Sequence, residues 1–176
     1  MITKYTAQTI QTIDELVMAL SEGEKSTFGT LLRDMNLSKD EFKPHQSWSK
    51  ASYTRNCIVE NESFELILIC WEGLQMTPIH DHGGEECWVY FIEGDFEEII
   101  YTIDENGNPV VSRKMNVGLG HISYMIDFMG VHRLRNCSKD RGMSLHLYAK
   151  PIKSCHIFNE ETSKFSSKEM SYNTKA

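Results

Sequence analysis

Two histidines stand at i and i+2, His80 and His82; a cysteine follows at Cys87, a glycine at Gly94, and a lone His132 lies fifty residues past the second histidine. In an extended strand successive side chains point to opposite faces, so His80 and His82 share one face and can grip one metal ion, with His132 closing the set from another strand. Three neutral imidazoles without an obligatory carboxylate suit a first-row divalent metal and leave positions open on it. Open positions are what a site needs to bind both a substrate and a small co-reactant. A histidine pair of this kind also arises by chance or as satisfied polar residues inside a β-structure, so its neighbours carry the weight.

A second group alternates in one short stretch: Ser144, His146 and Tyr148 face one way, Leu145 and Leu147 the other. The plainer reading is the solvated face of an edge strand. Against it stands a third stretch in which Tyr53 and Arg55 share a face beside the apolar Ile58 and Val59. An arginine fixed near a metal recognises a carboxylate through two parallel hydrogen bonds, a geometry that lysine cannot copy. The alternative for Arg55 is a surface ion pair with one of the 25 acidic residues.

These residues need elements to position them. Thr12 with Glu15 makes a capping box, and Ile13, Leu16, Val17 and Leu20 follow helical spacing. Phe28, Leu31, Leu32 and Met35 repeat that spacing, and Ser38 with Glu41 caps a shorter turn before Pro44. From there the period changes. Tyr53 to Val59, Phe64 to Trp71, Cys87 to Ile92, Glu97 to Thr102, Pro109 to Lys114, His121 to Met125 and Met143 to Tyr148 are strand-length and rich in Ile, Val, Tyr and Phe. Gly83-Gly84, residues 104–108 and residues 139–142 break them. Many short strands at near-regular spacing favour a barrel or sandwich over an alternating α/β fold. The polar residues 157–176 read as a covering strand or a loose tail.

Composition bounds the rest. A chain of 176 residues, 40% of them hydrophobic, is expected to form a single domain: a helical part over 1–45, a β-barrel core over 46–155 and an extension over 156–176. A formal charge of −7 argues against nucleic acid or an anionic membrane as the main partner. No apolar run reaches spanning length and residues 1–10 lack an apolar signal core. Five cysteines, an odd number without a CxxC pair, fit a reducing compartment, so a cytoplasmic protein is expected, and small size without an obvious apolar surface stripe favours a monomer.

The two histidine segments resemble the paired motifs of cupins. In that pattern a glutamate follows the second histidine as fourth ligand; here Cys87 occupies its position, with Glu86 one residue earlier. A metal bound by Glu86 points to a zinc or manganese cupin isomerase, and Cys87 as thiolate points to zinc. Taken together, SYTRN at 52–56, LILICW at 66–71, IHDH at 79–82 with Cys87, GVHRLRN at 130–136, SLHLY at 144–148 and CH at 155–156 resemble mammalian-type cysteine dioxygenase, a thiol dioxygenase of the cupin superfamily. The resemblance implies a mainly β, cupin-type β-barrel (jelly-roll) with a short N-terminal helical region. It implies Fe(II) on His80, His82 and His132. L-cysteine then chelates the iron, with its carboxylate on Arg55 and Tyr53 supporting that end, and both atoms of O2 end on sulfur as cysteine sulfinate. That product leads toward taurine and sulfite. The resemblance further implies a Cys87–Tyr148 thioether as a protein-derived cofactor, and a Tyr148 hydroxyl oriented through His146 and Ser144 as catalytic partners. Relatives acting on 3-mercaptopropionate carry glutamine at the carboxylate position, so Arg55 favours cysteine while leaving another small thiol acid open. Lys150 replaces the first proline of the family's Ser-Pro-Pro after the tyrosine, and Cys155 and His156 match positions near the pocket mouth without an assigned role.

Overall fold

The computed structural model describes residues 9–176, which divide into two compact units at Pro44 and His45. In the first unit, helix α1 (Ile13–Glu22) starts at the expected capping box: Thr12 accepts from the Glu15 N–H and the Glu15 carboxylate accepts from the Thr12 N–H. Its apolar stripe buries Ile13, Leu16 and Leu20, and α2 (Phe28–Asp34) buries Phe28 and Leu32. Glu41, in the short helical turn Lys39–His45, accepts from the Ile13 N–H at 3.2 Å.

The second unit is almost entirely β. Strand β1 (Thr54–Glu60) pairs antiparallel with β2 (Glu65–Trp71), which pairs with β8 (Gly142–Tyr148), then β3 (Cys87–Glu93) and β6 (Ile122–Met125). Strand β11 (Thr174–Lys175) adds to the outer edge of β1 in parallel, so this sheet has six strands. A three-stranded sheet joins β4 (Phe96–Ile103) to β5 (Pro109–Val117) and β7 (Val131–Asn136), and β9 (Ser154–Asn159) forms a hairpin with β10 (Lys164–Glu169). The architecture is the mainly β jelly-roll expected from the sequence, built as open sheets rather than a ring closed by backbone hydrogen bonds.

Strands β2 and β8 are buried along their whole length, as an inner sheet covered on both faces requires. Ile67, Ile69 and Trp71 of β2 and Val89 and Phe91 of β3 meet Phe96 of β4 and Leu134 of β7 in one core cluster. The Trp71 and Phe96 rings lie edge to face at 5.5 Å, joining the two sheets through aromatic contact. The chain enters β7 through Gly130, whose φ of +116° and 2.2 Å clearance from the Tyr101 carbonyl oxygen to a built Cβ admit only glycine. The residues at 157–176 are not a loose tail: they supply half of β9 and all of β10 and β11.

Candidate active site

Three imidazoles converge. His80, His82 and His132 offer ligand atoms that all lie within 4.8 Å of one another, and theirs is the one such cluster among the described residues. The expected strand at His80 is instead an extended segment held by isolated bridges to His132 and to Ile157. Pro78 before it and Gly83-Gly84 after it prevent a regular ladder, while alternation survives and keeps both histidines on one face. Asp127 fastens the far end, accepting from the His82 N–H at 2.9 Å and the Gly84 N–H at 2.6 Å.

The outer nitrogens fix the rings. His80 Nδ1 meets the Pro78 carbonyl at 3.0 Å, and His132 Nδ1 meets Glu98 Oε1 at 2.8 Å, so the Nε2 atom of each is free to act as ligand. Burial, and then the charge of His132, hold His80 down to about 3; the same two causes hold His82 well below the usual range. Neutral imidazole is the ligand form, and three imidazoles converging within 4.8 Å fit a divalent metal. Glu98 was missed in the sequence, although period-2 alternation of Phe96, Glu98 and Ile100 places it on the buried face of β4. Burial alone raises its carboxyl, but His132 and Ser123 outweigh that and leave it lowered.

On the facing sheet the alternation predicted for β8 holds. Trp71 Nε1 donates to Ser144 Oγ at 3.0 Å, and Ser144 Oγ lies 2.8 Å from His146 Nε2. Ser144 Oγ thus accepts from the indole and bridges to His146 Nε2, and His146 Nδ1 lies 3.5 Å from the Tyr148 hydroxyl oxygen. Burial keeps His146 well below its usual range and Tyr148 well above its own, so both are neutral. Cys87 and Tyr148 stand directly opposite each other across β3 and β8, both buried. Burial pushes the Cys87 thiol up while a hydrogen bond with Tyr148 works the other way.

Arg55 completes the pocket, which is lined by Tyr53, Arg55, His80, His82, His146 and Tyr148, with Cys155 and Lys168 also on its wall. Arg55 is 6% exposed, yet its Nε, Nη1 and Nη2 have no hydrogen-bond partner. The nearest carboxylate oxygen, on the fully buried Glu65, is 3.9 Å from Nη2. A buried guanidinium without partners carries a large desolvation cost that an anion in the pocket relieves. Tyr53 stacks on Trp71 at 4.9 Å, and burial raises its hydroxyl. Glu86 takes the Tyr124 hydroxyl at 2.9 Å and is not among the converging groups, which removes the reading in which it serves as fourth ligand. Cys155 donates to Met170 Sδ at 3.4 Å, and His156 pairs with Asp81 at 2.8 Å on the surface.

A jelly-roll carrying three convergent histidines, two buried and one half-buried, beside a pocket defines the class: a cupin-type protein with a metal-competent site. The fold agrees with a solved structure of an uncharacterized conserved protein with a double-stranded beta-helix domain from Klebsiella pneumoniae, at TM-score 0.50 and 15% identity, covering 72% of this chain and 93% of that one. The sequence model of the family described as "Cysteine dioxygenase type I" matches residues 2–161, and the chain belongs to that family. Curated relatives include human cysteine dioxygenase type 1, 29% identical over 139 residues, covering 77% of this chain and 70% of that protein. The zebrafish (Danio rerio) cysteine dioxygenase type 1 is 26% identical over 180 residues, covering 92% and 86%. Membership places the chain among oxidoreductases of the dioxygenase class. No described helix is long and apolar enough to cross a membrane.

Proposed function

We propose that this protein oxidises the thiol of free L-cysteine with O2 to cysteine sulfinate, with both oxygen atoms ending on sulfur and no other reductant consumed. The observation that carries the substrate is Arg55: a buried guanidinium with three unpartnered nitrogens on the wall shared with the histidine cluster asks for a carboxylate-bearing ligand. His80, His82 and His132 hold Fe(II), and the iron supplies the redox chemistry that couples O2 to a thiolate. Arg55 anchors the carboxylate, and Tyr53, braced on Trp71, shapes that end of the pocket. This fixes the sulfur's position relative to the histidines and confers selectivity for a carboxylate over a simple thiol.

Tyr148 donates its hydroxyl proton as a hydrogen bond toward the reacting sulfur and oxygen. His146, Ser144 and Trp71 aim that bond by occupying the other side of the phenol oxygen. The Cys87–Tyr148 thioether joins two residues that already face each other across the strands; it forms by loss of two hydrogens, with O2 as the oxidant. The protein acts as a cytoplasmic monomer in one continuous cupin domain, feeding routes toward taurine and sulfite. The test is oxygen uptake by Fe(II)-loaded protein given L-cysteine under labelled O2. The expected product is cysteine sulfinate carrying both labelled atoms. Iron-loaded protein that consumes no oxygen with L-cysteine but does so with 3-mercaptopropionate overturns the substrate, and protein that binds zinc or manganese while rejecting iron overturns the reaction.

A further inference from the structure

Arg55 keeps its guanidinium free of hydrogen bonds although a buried carboxylate lies just beyond their reach. Glu65 is fully buried, and its Oε1 is 3.9 Å from Arg55 Nη2, beyond hydrogen-bonding distance. Two other donors hold the carboxylate back: the Tyr172 hydroxyl on Oε1 and the Ile152 N–H on Oε2 at 3.2 Å. The Tyr172 ring also sits 5.9 Å from the Arg55 Cζ. Its neighbour secures the arginine's own backbone: the Arg55 N–H donates to Asn173 Oδ1 at 2.8 Å, and the Asn173 N–H donates to the Arg55 carbonyl at 2.7 Å. One residue on, Thr174 stands opposite Asn56 in register and donates to its side-chain oxygen at 2.9 Å. These residues lie beyond the stretch matched by the family model, which ends at 161.

We propose that the segment Tyr172-Asn173-Thr174 is a clamp that keeps Arg55 open to substrate: Tyr172 holds Glu65 away from the guanidinium, and Asn173 fixes the strand from which Arg55 projects. The inference rests on the reading of Arg55 as the carboxylate anchor. Without the Tyr172 hydroxyl, Glu65 has one donor fewer and turns to the strongest donor nearby, the guanidinium. An internally paired Arg55 must then break that pair to take a substrate carboxylate, so Glu65 becomes a competitor. Tyr172, Asn173 and Glu65 are positioning residues; none of them touches the reacting atoms.

The experiment is a set of steady-state measurements on Fe(II)-loaded protein with L-cysteine. Tyr172→Phe keeps the ring and removes the hydroxyl; it is expected to raise KM about tenfold, the scale of one hydrogen bond to a charged group, with kcat within about twofold. Adding Glu65→Gln removes the competing charge and is expected to return KM toward the wild-type value. A merely structural role for Tyr172 does not give that rescue. Asn173→Ala, the second probe of the clamp, is expected to raise KM about threefold. In metal-free protein the Arg55 Nε–H resonance, followed by NMR, is expected to become more protected from exchange in Tyr172→Phe as Glu65 pairs with it. Unchanged KM in Tyr172→Phe, or a raised KM that Glu65→Gln fails to restore, overturns the clamp. Arg55→Ala separates the two ideas: a large rise in its KM beside an unaffected Tyr172→Phe sinks the clamp alone, whereas an unaffected Arg55→Ala sinks the carboxylate reading beneath it.

Discussion

Glu98 stands behind the metal cluster, and replacing it separates charge from shape. Its carboxylate takes His132 Nδ1 at 2.8 Å on one oxygen and Ser123 Oγ at 2.5 Å on the other, and all three residues are buried. In Glu98→Gln the amide oxygen still accepts from His132, and the amide nitrogen faces Ser123, whose hydroxyl turns to accept. His132 and Ser123 both keep a bond to the side chain, so the loss at the cluster is that of the charge that makes His132 a stronger ligand. Outer-shell partners of this kind are worth about ten- to a hundredfold in metal affinity; with hydrogen bonding conserved, the lower end applies, about 1.4 kcal/mol. Glu98→Ala strands both the His132 nitrogen and the Ser123 hydroxyl, and each stranded buried group costs about 1–3 kcal/mol of fold stability. Anaerobic Fe(II) titration against a chromophoric chelator measures affinity, and thermal unfolding of metal-free protein measures stability. The expected pattern is weaker iron binding with near-normal stability in Glu98→Gln, and losses in both for Glu98→Ala. Wild-type affinity in Glu98→Ala refutes the role assigned to the carboxylate.

Three further outcomes follow from other parts of the fold. Wild-type protein matured with iron, cysteine and O2 should run as a doublet on denaturing gels, the faster band lighter by two hydrogens, whereas Cys87→Ser gives the slower band only; a doublet in that variant disproves a Cys87–Tyr148 origin. Hydrogen bonds from Lys153 and Lys175 pull Glu60 down to about 2. A lowered carboxyl stabilises the fold above its unfolded pKa and loses that contribution as pH falls through the folded value, so the stability gap between wild type and Glu60→Gln should close between about pH 4.5 and 2. A gap independent of pH in denaturant titrations rejects the link. Gly130→Ala forces a Cβ against the Tyr101 carbonyl at the entry to the His132 strand, and should cost about 1–3 kcal/mol of stability, read as a lower denaturation midpoint. An unchanged midpoint means that β7 does not need the turn as drawn.

The parts of this protein that were legible in the sequence are those in which one residue type carries the signal. Imidazoles two apart, the alternation of Ser144, His146 and Tyr148, and an arginine beside apolar neighbours each state their chemistry in local spacing. The capping box at Thr12 is equally local, and the expected strands from β1 to β6 fall within a few residues of those observed. Glu98, Glu65, Trp71 and Asp127 were not singled out because their roles depend on what lies across the sheet. A glutamate within EEII reads as solvent-facing until strand pairing puts His132 opposite Ile100 and brings its ring to Glu98. The residues at 157–176 left covering strand and loose tail equally open, because they hold the fold through hydrogen bonds more than through buried apolar area.

The division of labour between sheets explains why so few charges suffice. The three-stranded sheet and the bridge beside it carry His132 and His80, and an ionised Glu98 lies behind them. The six-stranded sheet carries Arg55, Tyr148 and the His146 relay, and Glu65 lies behind Arg55. His132 and Arg55 thus each have a buried carboxylate close by, Glu98 at 2.8 Å and Glu65 at 3.9 Å, and neither carboxylate lines the pocket. A buried carboxylate in that position lowers the cost of a cation in the core without occupying the donors or lone pairs that must meet substrate. This arrangement depends on other groups holding each carboxylate in place: Ser123 grips Glu98, and Tyr172 with Ile152 grips Glu65. Freed from those partners, either carboxylate turns from support into competitor. The aim of the site toward an anionic thiol is therefore set as much by what restrains its acids as by the arginine and histidines that face the pocket.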